Sequence, residues 1–208
     1  MATRMLLMSA FFVCMNVGIV SAGVNPPSPR HVAQAMVQSL QASLQESGEA
    51  ARETVRKAIA DYLDMKTIAK RAIGDYWDKL GPERKKEYVD LFTTYVVNLA
   101  VRHAHRIRDS EIRYGEEMIG LNRRARMELK MEKKGAARFH VNEISLRMHL
   151  VKDVWKIFEV IFDGIDITRN LESQFSTIIG RLAKLEQDET AMLDTFLGEL
   201  RKKAETIN

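Results

Sequence analysis

From about residue 30, apolar side chains recur every three or four positions, the period of an amphipathic helix. Val32, Met36, Leu40 and Leu44 define a first helix over about 30–46, stopped by Gly48. Val55 and Ile59 mark a second over about 49–60. A third runs from Asp64 to Ile73, with Met65, Ile68, Ala69 and Ala72 on one face and Gly74 placed to cap it. The longest opens at Gly81-Pro82-Glu83, where a proline is tolerated in the first turn and a carboxylate suits the positive helix end. Val89, Phe92, Tyr95, Val96, Leu99 and His103 then repeat, with His103 expected to point inward, until the pattern fails near Arg108.

The period then changes to two. Ala125, Met127, Leu129 and Met131 alternate with Arg126, Glu128, Lys130 and Glu132, which predicts a half-buried strand. Phe139 and Val141 alternate in one phase, and Ile144, Leu146, Met148 and Leu150 in the other. That slip predicts a bulge at Asn142-Glu143. Ile112–Tyr114 predicts a short, weaker strand. The run Trp155–Phe162 begins as a strand, loses its polar face from Ile157 onward, and turns at Asp163-Gly164. A strand apolar on both faces needs apolar cover on each. A doubly covered core strand satisfies this, and so does a strand with core on one side and a deep apolar cavity on the other. Helices over about 170–185 and 188–204 close the chain. The class is α+β: N-terminal helices, an antiparallel β-meander of three to five strands, and C-terminal helices.

The first residues change the compartment. One positive charge at Arg4 precedes the apolar stretch Met5–Val20, and Val20-Ser21-Ala22 offers the small residues a leader peptidase needs. Residues 1–22 therefore read as a cleaved secretory signal. Residues 23–29, holding Pro26, Pro27 and Pro29, read as a linker, and 30–208 as a single domain. The single cysteine, Cys14, lies in the leader, with Val13 before it instead of the small residue a lipoprotein site requires. The mature chain then has no disulfide and no cysteine ligand or nucleophile. With 32 basic against 28 acidic residues the charge is too balanced to indicate nucleic acid.

Candidate chemistry is sparse. His103 and His105 are about 200° apart on a helix and point to different sides. His140 and His149 fall in opposite phases of their strand, and Asp163-Gly164-Ile165-Asp166 lacks the spacing of an EF-hand loop. Asp61 and Asp64 read as a solvated helix end. No glycine-rich phosphate loop, Gly-x-Ser-x-Gly elbow or His-Glu-x-x-His helix is present. The reading is a non-enzyme without metal or cofactor. Arg102, Arg106 and Arg108 crowd the end of the long helix, and Arg123, Arg124 and Arg126 open the first long strand. If the two groups meet at one rim, they could receive an anionic head group or steer the protein to an acidic surface. Cations favoured by a helix C-terminus, beside a solvated strand face, are the plainer account.

Several segments, in order, resemble a known family. Asp64–Ala69 with Ala72–Trp77 is similar to its early segment, which ends in Gly-x-x-Trp. Gly81-Pro82-Glu83-Arg84 with Tyr88, Phe92 and Tyr95 is similar to its Thr-Pro-x-Gln-Arg start. Trp155–Val160 with Asp163–Ile167 resembles its Trp-x-x-Tyr-Asp strand and Glu-Gly-Val-Ser turn, and Asn170–Phe175 follows at the right distance. The family is MlaC, the toluene-tolerance auxiliary component, the periplasmic phospholipid-binding part of the Mla lipid-transport system. The resemblance implies a soluble, monomeric periplasmic carrier. It would shuttle phospholipid between an outer-membrane lipoprotein–porin complex and an inner-membrane ABC transporter with a membrane-anchored substrate-binding subunit. Ala100 stands where the family usually has Tyr, and Arg102, His103 and His105 make that stretch more polar. The cargo could then differ, for example a hopanoid precursor; a secreted non-catalytic adaptor is the other alternative.

The physics of such a role is simple. Exposing acyl chains to water costs about 0.8 kcal/mol per CH₂, so a carrier must offer an apolar cavity, here expected between sheet and helices. Met65, Ile68, Trp77, Phe92, Val96, Leu99, Met127, Leu129, Leu146, Met148, Ile157 and Phe158 are its expected lining. Arg102, Arg106, Arg123 and Arg124 are the expected rim for a head group or partner.

Overall fold

The computed structural model describes residues 26–108, 110–133, 141–186 and 188–206. The leader with Cys14 and most of the linker lie outside the described residues, as do Phe139 and His140. Three helices come first: α1 (Pro29–Ser43), α2 (Gly48–Tyr62) and α3 (Met65–Ile73). Ser28 accepts from the His31 amide to cap α1, and Asp64 accepts from the Thr67 amide to cap α3. The α3 cap Gly74 has φ 60°, a conformation that penalises any Cβ, and leads into a 3-10 turn (Gly74–Lys79). The long α4 (Pro82–His103) ends in the four-residue α5 (His105–Arg108). His103 is exposed, not inward, because α4 has already run past the apolar layer it covers.

The sheet is an antiparallel meander in sequence order: β1 (Ser110–Ile119), β2 (Arg124–Lys133), β3 (Val141–Val151), β4 (Val154–Phe162) and β5 (Ile165–Asp166). Two-residue turns join the last three strands. Lys152 and Asp153, then Asp163 and Gly164, have positive φ at both centres, the twist-matched hairpin geometry. α6 (Ile167–Leu182) and α7 (Glu189–Thr206) close the chain.

The bulges fall elsewhere than expected. Pairing of β2 with β3 is continuous from Arg124↔His149 to Glu132↔Val141, so Asn142-Glu143 carries no bulge. Val141 is simply an exposed apolar residue in the polar phase of its strand. One irregularity lies in β1 between Tyr114 and Glu117, and a second in β4, where Arg147 pairs with Glu159 but Met148 pairs with Ile157. Phe158 is thereby the extra residue. The β1 irregularity also explains why only Ile112–Tyr114 looked like a strand: it breaks the alternation midway through ten residues. Gly115 sits there because a Cβ would come 3.3 Å from the Glu128 carbonyl oxygen.

Apolar side chains gather into three clusters. One fills the bundle of α3, the 3-10 turn, α4, α6 and α7 around Trp77, Tyr88, Phe92, Phe175 and Phe196. Their rings meet edge-on or tilted at 5.5–6.5 Å. A second lies between α1 and one face of the sheet. A small third joins α2 to α4 through Val55, Ile59 and Val97.

Candidate functional site

The sheet has two unlike faces. On the first, cross-strand pairs align Ala125 with Met148, Met127 with Leu146, and Leu129 with Ile144, and β4 adds Trp155 and Ile157. α1 covers this face with the small side chains Val32, Ala33 and Val37. Arg30 ties α1 to β1: its amide donates to Glu117 at 2.8 Å and its guanidinium to the Gly115 carbonyl at 2.7 Å. Met127, Met148 and Ile157 are 0% exposed, so the layer is filled as it stands.

The second face carries the polar phase, and its character near the β1–β2 turn is set by arginine. Arg124 and Arg126 from β2, Arg147 from β3 and Arg71 from α3 line one pocket of about 580 Å³ with Thr67, Met118, His149, Phe158 and Glu159. Glu159 is 5% exposed and would be costly as a lone charge. Arg71 donates to it at 2.8 Å and Arg147 pairs with it at 3.0 Å, while Arg71 also reaches Asp166 at 3.3 Å. Arg126 pairs with Glu128 and donates to the Ser145 hydroxyl at 3.1 Å.

The β4 bulge turns Phe158 onto this face. Its ring receives the Arg124 guanidinium at 5.7 Å, that of Arg71 at 6.0 Å, and the His149 ring at 4.8 Å. His149 Nε2 lies 2.9 Å from Asp64 Oδ2, linking β3 to the α3 cap. Burial pushes the Asp64 carboxyl up. Hydrogen bonds from the Thr67 hydroxyl, the Thr67 amide and His149 together outweigh it and hold the group below the ordinary carboxylate value.

A further groove of about 650 Å³ between α3 and α4 is bordered by Lys66, Lys70, Lys85 and Lys86 over Trp77 and Val89. Lys85 sits 5.3 Å from the centre of the Trp77 ring. Among the described residues no cluster of three His, Cys, Asp or Glu side chains could hold a metal ion, and no helix is long and apolar enough to cross a membrane.

The twelve residues expected to line one cavity divide between the clusters. Met127, Leu129, Leu146, Met148 and Ile157 lie together beneath α1. Ile68, Trp77, Phe92 and Leu99 belong to the helix bundle, and Met65 and Val96 pack against both the bundle and the α2–α4 cluster. Phe158 faces the arginine pocket.

The four rim arginines divide as well. Ser110 at the start of β1 pairs with Lys133, whereas Ile119 at its far end pairs with Ala125. α5, with Arg106, precedes the first end, while Arg123 and Arg124 stand at the second, a strand length of roughly 30 Å away. Arg123 pairs with Asp153, and Arg124 enters the pocket. Arg71, Arg147, His149 and Glu159 were not among the expected site residues, and Arg126 was grouped with Arg123 and Arg124 but not placed in the rim. The usable signal was Glu159, a carboxylate inside an apolar run, which requires cationic partners.

The fold is shared with the solved structure of a phospholipid-binding protein from Ralstonia solanacearum in complex with a phospholipid, at a TM-score of 0.68 and 13% identity. The match covers 87% of this chain and 99% of that one. No curated protein sequence matches. The family described as MlaC protein matches residues 30–187, most of the chain, and on that match the chain belongs to the MlaC family.

Proposed function

We propose that this protein is a periplasmic phospholipid carrier that holds acyl chains between α1 and the apolar face of the sheet. The observation that carries the reading is that face itself: Met127, Leu129, Leu146, Met148 and Ile157 form a continuous apolar floor with no charged group among its buried members. Membership in the MlaC family and a fold shared with a phospholipid-binding protein support it. Methionine suits such a floor because its unbranched thioether repacks around chains of different shape. The floor is filled in the present arrangement, so loading requires α1 to part from the sheet. Its contacts there are Val32, Ala33, Val37 and the partly buried Met36, and its polar tie runs through Arg30.

A carrier of this kind binds and releases and performs no bond chemistry. No phosphate-binding loop is present to supply energy. Loading and unloading are therefore assigned to membrane complexes on either side: an outer-membrane lipoprotein–porin complex and an inner-membrane ABC transporter with an anchored substrate-binding subunit. The protein acts as a monomer after removal of residues 1–22. Mass spectrometry of lipid extracted from exported protein tests the reading, with about one phospholipid per chain expected. A polycyclic terpenoid in its place would change the cargo, and no lipid at all would leave a non-catalytic adaptor. The same sample should begin at Gly23 by intact mass.

A further inference from the structure

We propose that the arginine pocket on the opposite face of the sheet is a binding site for a phosphate mono- or diester anion. The site lies apart from the floor assigned to acyl chains and does not depend on that assignment. Four guanidinium groups from three elements line it, with Glu159 the one carboxylate in the lining and Glu128 and Asp166 answering Arg126 and Arg71 from beside it. Their hydrogen-bonding capacity is only partly used. Arg126 donates through Nε alone, Arg147 pairs through one terminal nitrogen, and Arg124 has no carboxylate partner among the described residues. Guanidinium forks with free N–H groups match tetrahedral oxyanions, and charge-assisted bonds of this kind are the strong ones. Glu159, gripped by Arg71 and Arg147, holds both cations in place before any ligand arrives, which lowers the cost of binding.

The bulge is the second observation. Without an extra residue in β4, Phe158 would not have been redirected out of the apolar strand pattern. Bulges recur where a side chain must be re-aimed. Here the re-aimed ring underlies Arg124, Arg71 and His149, and with Met118 it forms the pocket's apolar part. An anion carrying a short hydrocarbon portion, such as a glycerophosphate unit, matches that mixture better than a bare ion.

The phosphate could come from a lipid head group or from solution, and titration calorimetry separates the two. Full-length mature protein is titrated with soluble dihexanoyl phosphatidylglycerol, with dihexanoylglycerol lacking phosphate, and with inorganic phosphate. Arg124→Gln/Arg126→Gln should weaken the phosphatidylglycerol probe by about tenfold or more, and Phe158→Leu by a smaller factor without any charge change. Lys85→Gln/Lys86→Gln removes equal charge from another patch and should leave binding within about twofold, since exposed charges at a distance are screened. Inorganic phosphate binding as tightly as the lipid probe would identify a free phosphate as the ligand and sustain the site. The proposal falls if no phosphate-bearing probe binds, if dihexanoylglycerol binds equally well, or if the lysine and arginine variants behave alike. Both arginines are exposed, so the variants are expected to fold, and circular dichroism verifies it. Lipid co-purification is scored separately, so the carrier could fail while the anion site stands.

Discussion

One buried and one half-buried ionisable group set how single residues respond to pH. The Tyr88 hydroxyl donates to the Ala69 carbonyl at 3.1 Å inside the helix bundle, and burial pushes its phenol far above the ordinary value. Its stabilising effect is complete below the unfolded value of 10.0 and is lost as pH rises beyond it, because only the unfolded chain ionises readily. Tyr88→Phe should flatten that alkaline limb in denaturant titrations and cost about 1 kcal/mol at neutral pH through the lost hydrogen bond. Asp64 acts at the other end. Its depressed value contributes stability above about pH 4, lost as pH falls through the folded-state value. Asp64→Asn should therefore reduce the steepness of acid unfolding. Glu159 is more demanding: removing Arg71 and Arg147 together leaves a buried carboxylate uncompensated. The double alanine variant should lose roughly 3 kcal/mol, more than the two single losses added, since either arginine alone still answers the charge.

At the scale of elements, the helices were legible because their apolar stripes are unbroken, and α3 was readable to its cap. Gly74 tests that boundary. Its φ of 60° and a would-be Cβ 3.1 Å from Glu172 Oε1 predict that Gly74→Ala costs about 1–3 kcal/mol in thermal or urea unfolding. Most of the penalty is backbone, because the Glu172 carboxylate can swing away. Strand details were less legible, for a definite reason. In the run Ile157–Phe162 every residue except Glu159 is apolar, so a one-residue insertion leaves no mark on the pattern, and Phe158 could not be assigned a face. Arg71 and Arg147 were ordinary polar positions on elements separate from Arg126, which was grouped only with its neighbours along the strand. Only cross-strand register and the approach of α3 bring them to one pocket, and neither is written in local periodicity.

Across the whole molecule, two major cores lie in separate layers: the bundle cluster contains no strand residue, and the sheet cluster contains none from α6 or α7. Ile179→Val in the bundle and Ile157→Val under α1 should each cost about 1 kcal/mol. Measured together by chemical denaturation, the two losses should add to within about 0.5 kcal/mol, as expected of sites without shared partners. The twelve residues expected as cavity lining are spread over these layers, because amphipathic periodicity identifies a buried face without saying what covers it. The rim arginines are dispersed along the strand direction instead, at opposite ends of β1. Under the proposed carrier function, charge reversal at Arg102 and Arg106 should slow lipid transfer in a donor–acceptor vesicle assay independently of reversal at Arg123 and Arg124.

Leu63, at the corner between α2 and α3, packs against all three apolar clusters and is the one described residue common to them. Its backbone bridges Ile157 in β4, and the next amide, that of Asp64, donates to the Ile157 carbonyl at 2.8 Å. The neighbouring Asp64 in turn holds His149 at the edge of the arginine pocket. One short corner therefore fastens the helix bundle, the apolar layer under α1 and the polar face of the sheet to the same stretch of backbone, so that none of the three is anchored independently of Leu63 and Asp64.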